Sequence, residues 1–352
     1  MKPDVFPKLL LAGAMASVLA ACGGDSDDDD NNTTAEVRVI HASSDAPDVN
    51  ASLDGGNQVG DLAFADATPF LEVPAKDYEV TVDGIVPGDE NPTVIGPATV
   101  PLDADAETSI VAVGKVGDDS IVPLVVTAPD ADPADDEARA QVVHAASGAP
   151  EVDIYVTDPS ADITISDVDP ITTLSFPSFA DPVTVPIGDY RIQVTPAGDP
   201  STVVFDSGTV PLAGDLLVAA IDNVGPNAGT DPVRLLVARE GSDSFVLTDA
   251  GAQAAVRAAH LSSDTPNVDV TADGFSSLLY QNVSFPAVAP YTLVDEGTVD
   301  VDVGLTGNNT AAVSLPGAML DGGTWTSVYA VGQLNGSPAL ELIAGDDDIR
   351  SV

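Results

Sequence analysis

The sequence predicts an all-β chain of three tandem antiparallel β-sandwiches with an immunoglobulin-like architecture. One motif of about 13 residues occurs three times, at intervals of roughly 100 residues, which is a length that can form its own core. Short alternating apolar runs separated by turn residues follow each copy, as is typical of half-buried strands. A small β-barrel per unit is the alternative architecture.

The repeated motif contains every histidine of the chain. Its copies are VRVIHASSDAPDV at Val37–Val49, QVVHAASGAPEV at Gln141–Val152 and VRAAHLSSDTPNV at Val256–Val268. His41, His144 and His260 occupy the same place in the three copies. One unit is therefore used three times.

The N-terminus resembles a bacterial lipoprotein signal peptide. Lys2 and Lys8 accompany an apolar run, Leu9–Leu19, that is too short for a typical membrane span. The residues that resemble the recognition site of the signal peptidase, the lipobox, are Leu19, Ala20, Ala21 and Cys22. An ordinary secretory signal with an incidental cysteine is the alternative.

The resemblance implies that the thiol of Cys22, the only cysteine, is diacylated and that Cys22 becomes the mature N-terminus. The lipid would then attach the protein stably to a membrane. Gly23, and not Asp, follows Cys22, which by the sorting rule of enteric bacteria favours the outer membrane. We therefore expect a lipid-anchored protein of the bacterial cell envelope.

Composition divides the rest of the chain. Residues 23–35 contain a block of aspartates whose mutual repulsion predicts an extended tether, and residues 129–137 are acidic and proline-bearing, which is typical of a linker. The predicted boundaries are 1–22 for the signal peptide, 23–35 for the tether, 36–128 for the first sandwich, 129–137 for the linker, 138–250 for the second sandwich, 251–346 for the third and 347–352 for a tail.

Alternation predicts the strands of each unit. Val37, Val39 and His41 share one face of the first strand, and Val49, Ala51 and Leu53 share one face of the second. The remaining strands of the first unit are predicted within Phe70–Val73, Tyr78–Val82, Thr99–Leu102, Ser109–Gly114 and Ile121–Thr127. The second and third units repeat this order, and Asn335-Gly336 marks a hairpin of the third.

The net charge argues against negatively charged partners. Eleven Lys and Arg residues against 56 Asp and Glu residues give a formal net charge of −45. Nucleic acids and anionic membrane surfaces attract basic patches, so neither is expected to bind this surface directly. Contact with a membrane is expected through the N-terminal lipid alone.

The three motif copies, the GDYRIQV stretch at Gly188–Val194 and a closing hairpin near the end of each unit resemble the bacterial domain of unknown function 4397 family. The resemblance covers nearly all of residues 36–346. It implies extracytoplasmic, often tandem, lipoprotein-borne domains, and it brings no assigned activity or catalytic residue.

The His-Ala-Ser-Ser-Asp part of the motif contains the residue types of a catalytic triad, but a triad needs a base within reach of the nucleophile and an acid behind it. Residues this close in sequence rarely meet that geometry, and the second unit has Gly148 in place of the acid. We therefore predict no enzyme. The motif residues predicted to be structural, each His binding to a proline-containing turn, are His41, His144, His260, Pro47, Pro150 and Pro266.

No cofactor or metal is predicted. Alternating acidic residues on the second strand of each unit are what a solvated strand face requires, although oxygen ligands also suit calcium. The candidates for a calcium ion would be Asp48, Asp54, Asp153, Asp269 and Asp273.

These observations favour a non-catalytic role in binding, adhesion or surface presentation, with a protein or carbohydrate ligand. A structural envelope lipoprotein with no specific ligand is the alternative, and an extracytoplasmic hydrolase is the third class considered.

Overall fold

The computed structural model describes residues 33–56, 58–88, 91–160, 165–241, 244–273 and 278–347. Leu19, Ala20, Ala21 and Cys22 lie outside the described residues, as do the first ten residues of the predicted tether and all but the first of the predicted tail. None of the described residues belongs to a helix that could span a bilayer. The described residues belong to one compact unit.

The first sandwich consists of two four-stranded sheets. One has the order β4-β1-β7-β8 and contains the strand that carries the motif, so we call it the motif sheet; the opposite sheet has the order β3-β2-β5-β6. The strands are β1 (Thr34–His41), β2 (Val49–Leu53), β3 (Gln58–Leu62), β4 (Leu71–Pro74), β5 (Lys76–Gly84), β6 (Thr93–Leu102), β7 (Ala106–Val113) and β8 (Val122–Pro129).

The second sandwich repeats this plan with shorter edge strands. Its motif sheet joins both β12 and β13 to β9, followed by β17, β18 and β19, and its opposite sheet has the order β11-β10-β14, with β15 and β16 both paired to β14. The strands are β9 (Glu137–His144), β10 (Val152–Thr157), β11 (Thr172–Leu174), β12 (Ser178–Phe179), β13 (Val183–Pro186), β14 (Gly188–Pro196), β15 (Phe205–Asp206), β16 (Val210–Leu212), β17 (Gly214–Asp222), β18 (Val233–Arg239) and β19 (Ser244–Leu247). A single 3₁₀ turn, Ile165–Asp167, precedes β11.

The third sandwich again has two sheets. Its motif sheet joins β23 and β24 to β20, followed by β27 and β28, and its opposite sheet has the order β22-β21-β25-β26. The strands are β20 (Ala254–His260), β21 (Val268–Ala272), β22 (Leu278–Val283), β23 (Ala287–Val288), β24 (Thr292–Val294), β25 (Gly297–Leu305), β26 (Ala311–Leu320), β27 (Trp325–Val331) and β28 (Glu341–Asp346).

The prediction of an all-β chain of sandwiches is confirmed. Each motif sheet also contains one parallel pair, which the sequence analysis did not anticipate. The first strand lies parallel to the strand that begins the last hairpin, and His41, His144 and His260 are opposite Ala112, Ala220 and Ala330 in register. The intervening strands alternate between the two sheets and make the long crossover that a parallel pair requires.

Inward-facing residues form a core in each sandwich. The second and third sandwiches each have one continuous apolar cluster. In the first sandwich the core is divided into two clusters, one around Tyr78 and Ile110 and the other around Val49 and Ile95. The division coincides with an open cleft that is described below.

The first and second sandwiches share a further core. It lies between the outer faces of their two motif sheets, which are the faces turned away from each sandwich's own opposite sheet. It is fully closed to solvent at Ile40, Val111, Val143 and Leu236. The two sandwiches contribute structurally equivalent residues to this shared core, so it has an approximate twofold relation. Strands β1, β7, β9 and β17 are therefore buried on both faces.

Polar groups close the rim of the shared core. Arg139 of β9 donates from Nη2 to both carboxylate oxygens of Glu107 in β7, at 2.9 and 2.8 Å, and also binds Asp215. The pKa of Glu107 is raised to about 7, chiefly by burial and then by the charge of Asp215, while Arg139 opposes the rise. Elsewhere on the rim, Ser44 Oγ donates to Asp222 Oδ2 at 2.9 Å.

We predict that removing apolar volume from the shared core destabilises both sandwiches. Leu236→Ala deletes a fully buried side chain, and such substitutions cost about 2–5 kcal/mol because they leave a cavity. Amide hydrogen exchange should therefore accelerate in β1 and β7 of the first sandwich, although the substitution lies in the second.

Leu320→Ala is the matched control, because Leu320 is 2% exposed in the third sandwich's own core. It should accelerate exchange in the third sandwich and leave β1 and β7 unchanged. If Leu236→Ala left exchange in the first sandwich unaffected, the shared core would not couple the two sandwiches.

Candidate functional site

The three imidazoles of the motif lie in closely similar surroundings. His41, His144 and His260 are at most 1% exposed. Each Nε2 donates to the carbonyl of the motif proline, at 3.0 Å to Pro47, 2.9 Å to Pro150 and 3.1 Å to Pro266. Each ring also meets a phenylalanine edge to face, with centroids 6.0 to 6.2 Å apart. The imidazole thus holds the turn that leads into the second strand of the sandwich.

The second ring nitrogen differs among the sandwiches. Nδ1 of His41 accepts a hydrogen bond from the backbone N–H of Ser43 at 3.3 Å, and Nδ1 of His260 accepts one from Ser262 at 3.4 Å. In the described part of the chain, Nδ1 of His144 is buried without a partner. Burial lowers the pKa of His144 below its ordinary value of 6.5, because a buried imidazolium would lose its hydration.

The motif serines are not placed as nucleophiles. The hydroxyl of Ser43 donates to Asp45 Oδ1 at 3.4 Å, and that of Ser262 donates to Asp264 Oδ1 at 3.4 Å. The Nε2 atoms of the corresponding imidazoles bind backbone carbonyls instead of these hydroxyls. The order of base, nucleophile and orienting acid that a triad requires is therefore not formed within the motif.

The motif carboxylates bind the last hairpin of their sandwich. Asp45 accepts from the backbone N–H groups of Val116 and Gly117 at 2.8 and 2.9 Å. Asp264 likewise accepts from Leu334 and Asn335 at 2.7 and 3.0 Å. These bonds lower the pKa of Asp264.

The second sandwich makes the same connection in the opposite direction. Gly148 replaces the motif aspartate, and Asp222 of β17 accepts from the backbone N–H of Gly148 at 2.9 Å and from Ser147 Oγ at 2.8 Å. Asp222 stands where the other sandwiches have Gly114 and Gly332, whose φ angles are +91° and +86°. The carboxylate that the motif of the second unit lacks is thus supplied by β17, the neighbouring strand in the same motif sheet.

The five candidates for calcium are not brought together, since they are distributed over three sandwiches. Asp48 lies half-buried at the turn before β2, and Asp54 is exposed and paired with Lys76. Asp273, also exposed, accepts from the N–H of Asp300 at 2.9 Å. These three fit the expected position on a polar strand face.

Asp153 and Asp269 differ from the expectation of a solvated face, because each is only 6% exposed. Asp153 Oδ2 accepts from the N–H of Gly198 at 2.7 Å. Burial opposes ionisation of Asp269, but hydrogen bonds from the N–H groups of Asn282 and Gly307 prevail and lower its pKa. Both carboxylates therefore bind backbone at neighbouring turns.

A different acidic group was missed by the sequence analysis. Among the described residues, Glu36, Glu107 and Asp130 place one carboxylate oxygen each within 4.8 Å of the others. They are distant in sequence and meet because β1 and β7 pair in parallel. Glu107 is already bound to Arg139, so the group belongs to the rim of the shared core.

An apolar opening in the first sandwich is the other candidate site, and we call it the edge cleft. It has a volume of about 450 Å³ and enters the core between edge strands β3 and β4, where the two sheets diverge. Most of its lining is aliphatic, and the residues are Val37, Arg38, Val39, Ala51, Leu53, Val59, Gly60, Leu62, Ala67, Thr68, Pro69, Phe70, Leu71 and Val80. The guanidinium of Arg38 points to the other face of β1, where Nε donates to Ser109 Oγ.

The same opening is nearly filled in the other two sandwiches. In the second sandwich, Ile154 replaces Ala51 and a cavity of about 60 Å³ remains. In the third, Tyr280 stands opposite Val270, as Val59 stands opposite Ala51. The Tyr280 hydroxyl crosses to the motif sheet and donates to the carbonyl of Val256.

The family model for a domain of unknown function, DUF4397, matches residues 35–155 and 254–351, and the chain belongs to this family. No curated protein matches the chain in sequence. Solved structures that are distantly similar include the following two. One is the Bacillus anthracis TIE protein, with 9% identity, a TM-score of 0.19 and coverage of 86% of this chain and 50% of that protein. The other is a protein of Bacteroides ovatus described as a candidate cell adhesion protein, with 10% identity, a TM-score of 0.21 and coverage of 60% and 96%. The chain thus spans about half the length of the TIE protein.

We predict that His144→Ala destabilises the second sandwich at pH 8 by about 1–3 kcal/mol, because the Pro150 carbonyl loses its buried donor. The pKa of His144 is lower in the folded protein than in the unfolded chain. As the pH falls below 6.5, the unfolded chain therefore binds a proton before the folded protein does, and the stability that the imidazole contributes is lost. The difference in unfolding free energy between wild type and variant should therefore shrink between pH 8 and pH 5.

Leu174→Ala, in the same sandwich, provides the control because it changes packing without removing a titrating group. Its cost should be similar at both pH values. An unchanged denaturation midpoint for His144→Ala at pH 8 would contradict a structural role for the imidazole.

Proposed function

We propose that this DUF4397 protein is a lipid-anchored, non-catalytic binding protein of the bacterial cell envelope. Its ligand site is the edge cleft of the first sandwich, which receives the hydrocarbon chain of a ligand. The edge cleft carries this proposal. Its volume lies within the range of about 300–1,000 Å³ that is usual for small-molecule sites. We further propose that the second sandwich is a third copy of the family domain, since its motif and strand register match those of the other two.

The lining of the edge cleft supports a hydrocarbon ligand. Val39, Ala51, Leu53 and Val80 provide aliphatic surface, which gains free energy when water is removed from it. Thr68 has the hydroxyl among the lining side chains, and its Oγ1 already accepts from the N–H of Val39 at 3.0 Å. A carbohydrate, which needs several hydrogen-bond partners, is therefore a poorer match than an acyl chain.

The comparison among sandwiches supports the same ligand class. Tyr280 places an aromatic ring at the equivalent position of the third sandwich, so this space accepts an apolar group when one is available. Val59 is too short to do so in the first sandwich. The division of that core into two clusters follows, since the opening lies between them.

We predict that Val59→Tyr abolishes binding of an apolar probe, because the new ring would fill the edge cleft as Tyr280 does in the third sandwich. The probe is 1,6-diphenyl-1,3,5-hexatriene, a neutral hydrocarbon whose fluorescence rises in apolar surroundings. Residues 33–352 should bind it saturably, and a long-chain alcohol should displace it.

The matched control is Val122→Tyr, which adds the same ring at a site that is 44% exposed and outside the edge cleft. This variant should bind the probe as wild type does. Equal binding by Val59→Tyr and wild type, or no saturable binding by wild type, would remove the support for a hydrocarbon site.

We predict separately that Cys22 is the point of lipid attachment. Cys22→Ser should abolish incorporation of radioactive palmitate in living cells, because serine lacks the thiol that is acylated. Ser26→Ala, a few residues along the predicted tether, should leave labelling unchanged. Persistent label on the Cys22→Ser variant would refute the anchoring proposal without affecting the hydrocarbon site.

A further inference from the structure

The outer face of each motif sheet can be compared among the three sandwiches. In the first two, these faces pack against each other and form the shared core. Ile40 and Val143 are equivalent in register, and each is fully buried there. Leu124 and Leu236, on the neighbouring hairpins, are also equivalent and belong to the same core.

The third sandwich has the same sheet, and its outer face has no such cover. Leu261 follows the motif histidine as Ala42 and Ala145 do, and it is 44% exposed. Val288 lies opposite Ala259 and is 57% exposed, and Ile343 lies opposite Tyr329 and is 49% exposed. Adjacent apolar side chains on one sheet face are thus left in water.

The third sandwich has also lost the acids that border the shared core. Ala255 stands where the first sandwich has Glu36, Trp325 stands where it has Glu107, and Leu293 stands where it has Glu72. Arg257 remains, but its charge is met by Asp347 and by the ring of Tyr291. Among the described residues, the carboxylates that remain on this face include Asp347, which pairs with Arg257, and the exposed Glu341, which lies opposite Val331 on edge strand β28.

We propose that the outer face of the third motif sheet is a homodimer interface, occupied by the same face of a second copy of this chain. The shared core shows what such a face packs against, namely the outer face of another motif sheet in an approximate twofold arrangement. The chain has three such faces, of which the first two pack against each other and the third has no partner sheet among the described residues. An isologous contact uses the same patch on both subunits, so replacing the acids at the positions of Glu36, Glu72 and Glu107 removes like charges that would otherwise meet across the axis.

The inference goes beyond the hydrocarbon site and does not depend on it, because the two lie in different sandwiches. The test is sedimentation equilibrium of residues 33–352 over a series of protein concentrations. It should be run in about 0.5 M salt, where the Debye length falls to only a few Å and the net charge is screened. We expect a dimer.

Ile343→Asp should raise the dimer dissociation constant by roughly tenfold or more, which corresponds to about 1.4 kcal/mol, since it places two carboxylates beside the twofold axis. Met319→Asp is the control: Met319 is 67% exposed in the same sandwich but on the opposite sheet, and this variant should stay dimeric. Thermal melting should show that both variants are folded. A monomeric wild type, or an Ile343→Asp variant that dimerises as wild type does, would overturn the proposal.

Discussion

The hydrogen bond from each motif imidazole to the proline carbonyl six residues later determines how a sandwich begins. The first strand and the second lie in different sheets, so the chain must leave one sheet and enter the other within one turn. A buried donor with fixed geometry holds that turn, and its loss would leave a carbonyl unpaired in the interior. The motif carboxylates then connect the same turn to the last hairpin. The exchange of Gly148 and Asp222 shows that this connection persists even when donor and acceptor change strands.

Much of this fold follows from local pattern in the sequence. The three motif copies, the alternation of Val49, Ala51 and Leu53, and the turn residues between runs were sufficient to predict three β-sandwiches. The parallel pairs were not predictable, because strand order within a sheet depends on long-range contacts. The burial of both faces of β7 and β17 had a signal in the sequence that differs from alternation. The segments IVAV and LLVAAI are continuous apolar runs, which are typical of strands covered on both sides. Their counterpart in the third sandwich, WTSVYAV, mixes polar and aromatic residues, and its outer face is partly open.

The candidate site was less accessible from sequence. Val59 and Tyr280 lie in segments with little sequence similarity, and strand register shows that they occupy one position. Side-chain volume at this position and at Ala51 or Ile154 decides whether the space between the sheets is filled by the protein itself. Likewise, Asp153 and Asp269 alternate with apolar neighbours as solvated residues would, yet turns from neighbouring strands cover them. A period of two reports which face a side chain is on and does not report what covers that face.

A chain built from repeats gives each copy a different neighbour, and this difference explains how the copies have diverged. The first two sandwiches retain small residues, Ala42 and Ala145, where their motif sheets approach each other, since larger side chains would hold the sheets apart. The third, released from that contact, has Leu261 at the same place. The acids at the rim of the shared core are tolerated because Arg139 pairs with them and solvent reaches them. The third sandwich has apolar residues at those positions. Packing against an identical face favours the apolar pattern of the third sandwich. A residue near a twofold axis meets its own copy from the other subunit, so a charged residue would be repelled, whereas an aliphatic side chain packs without repulsion.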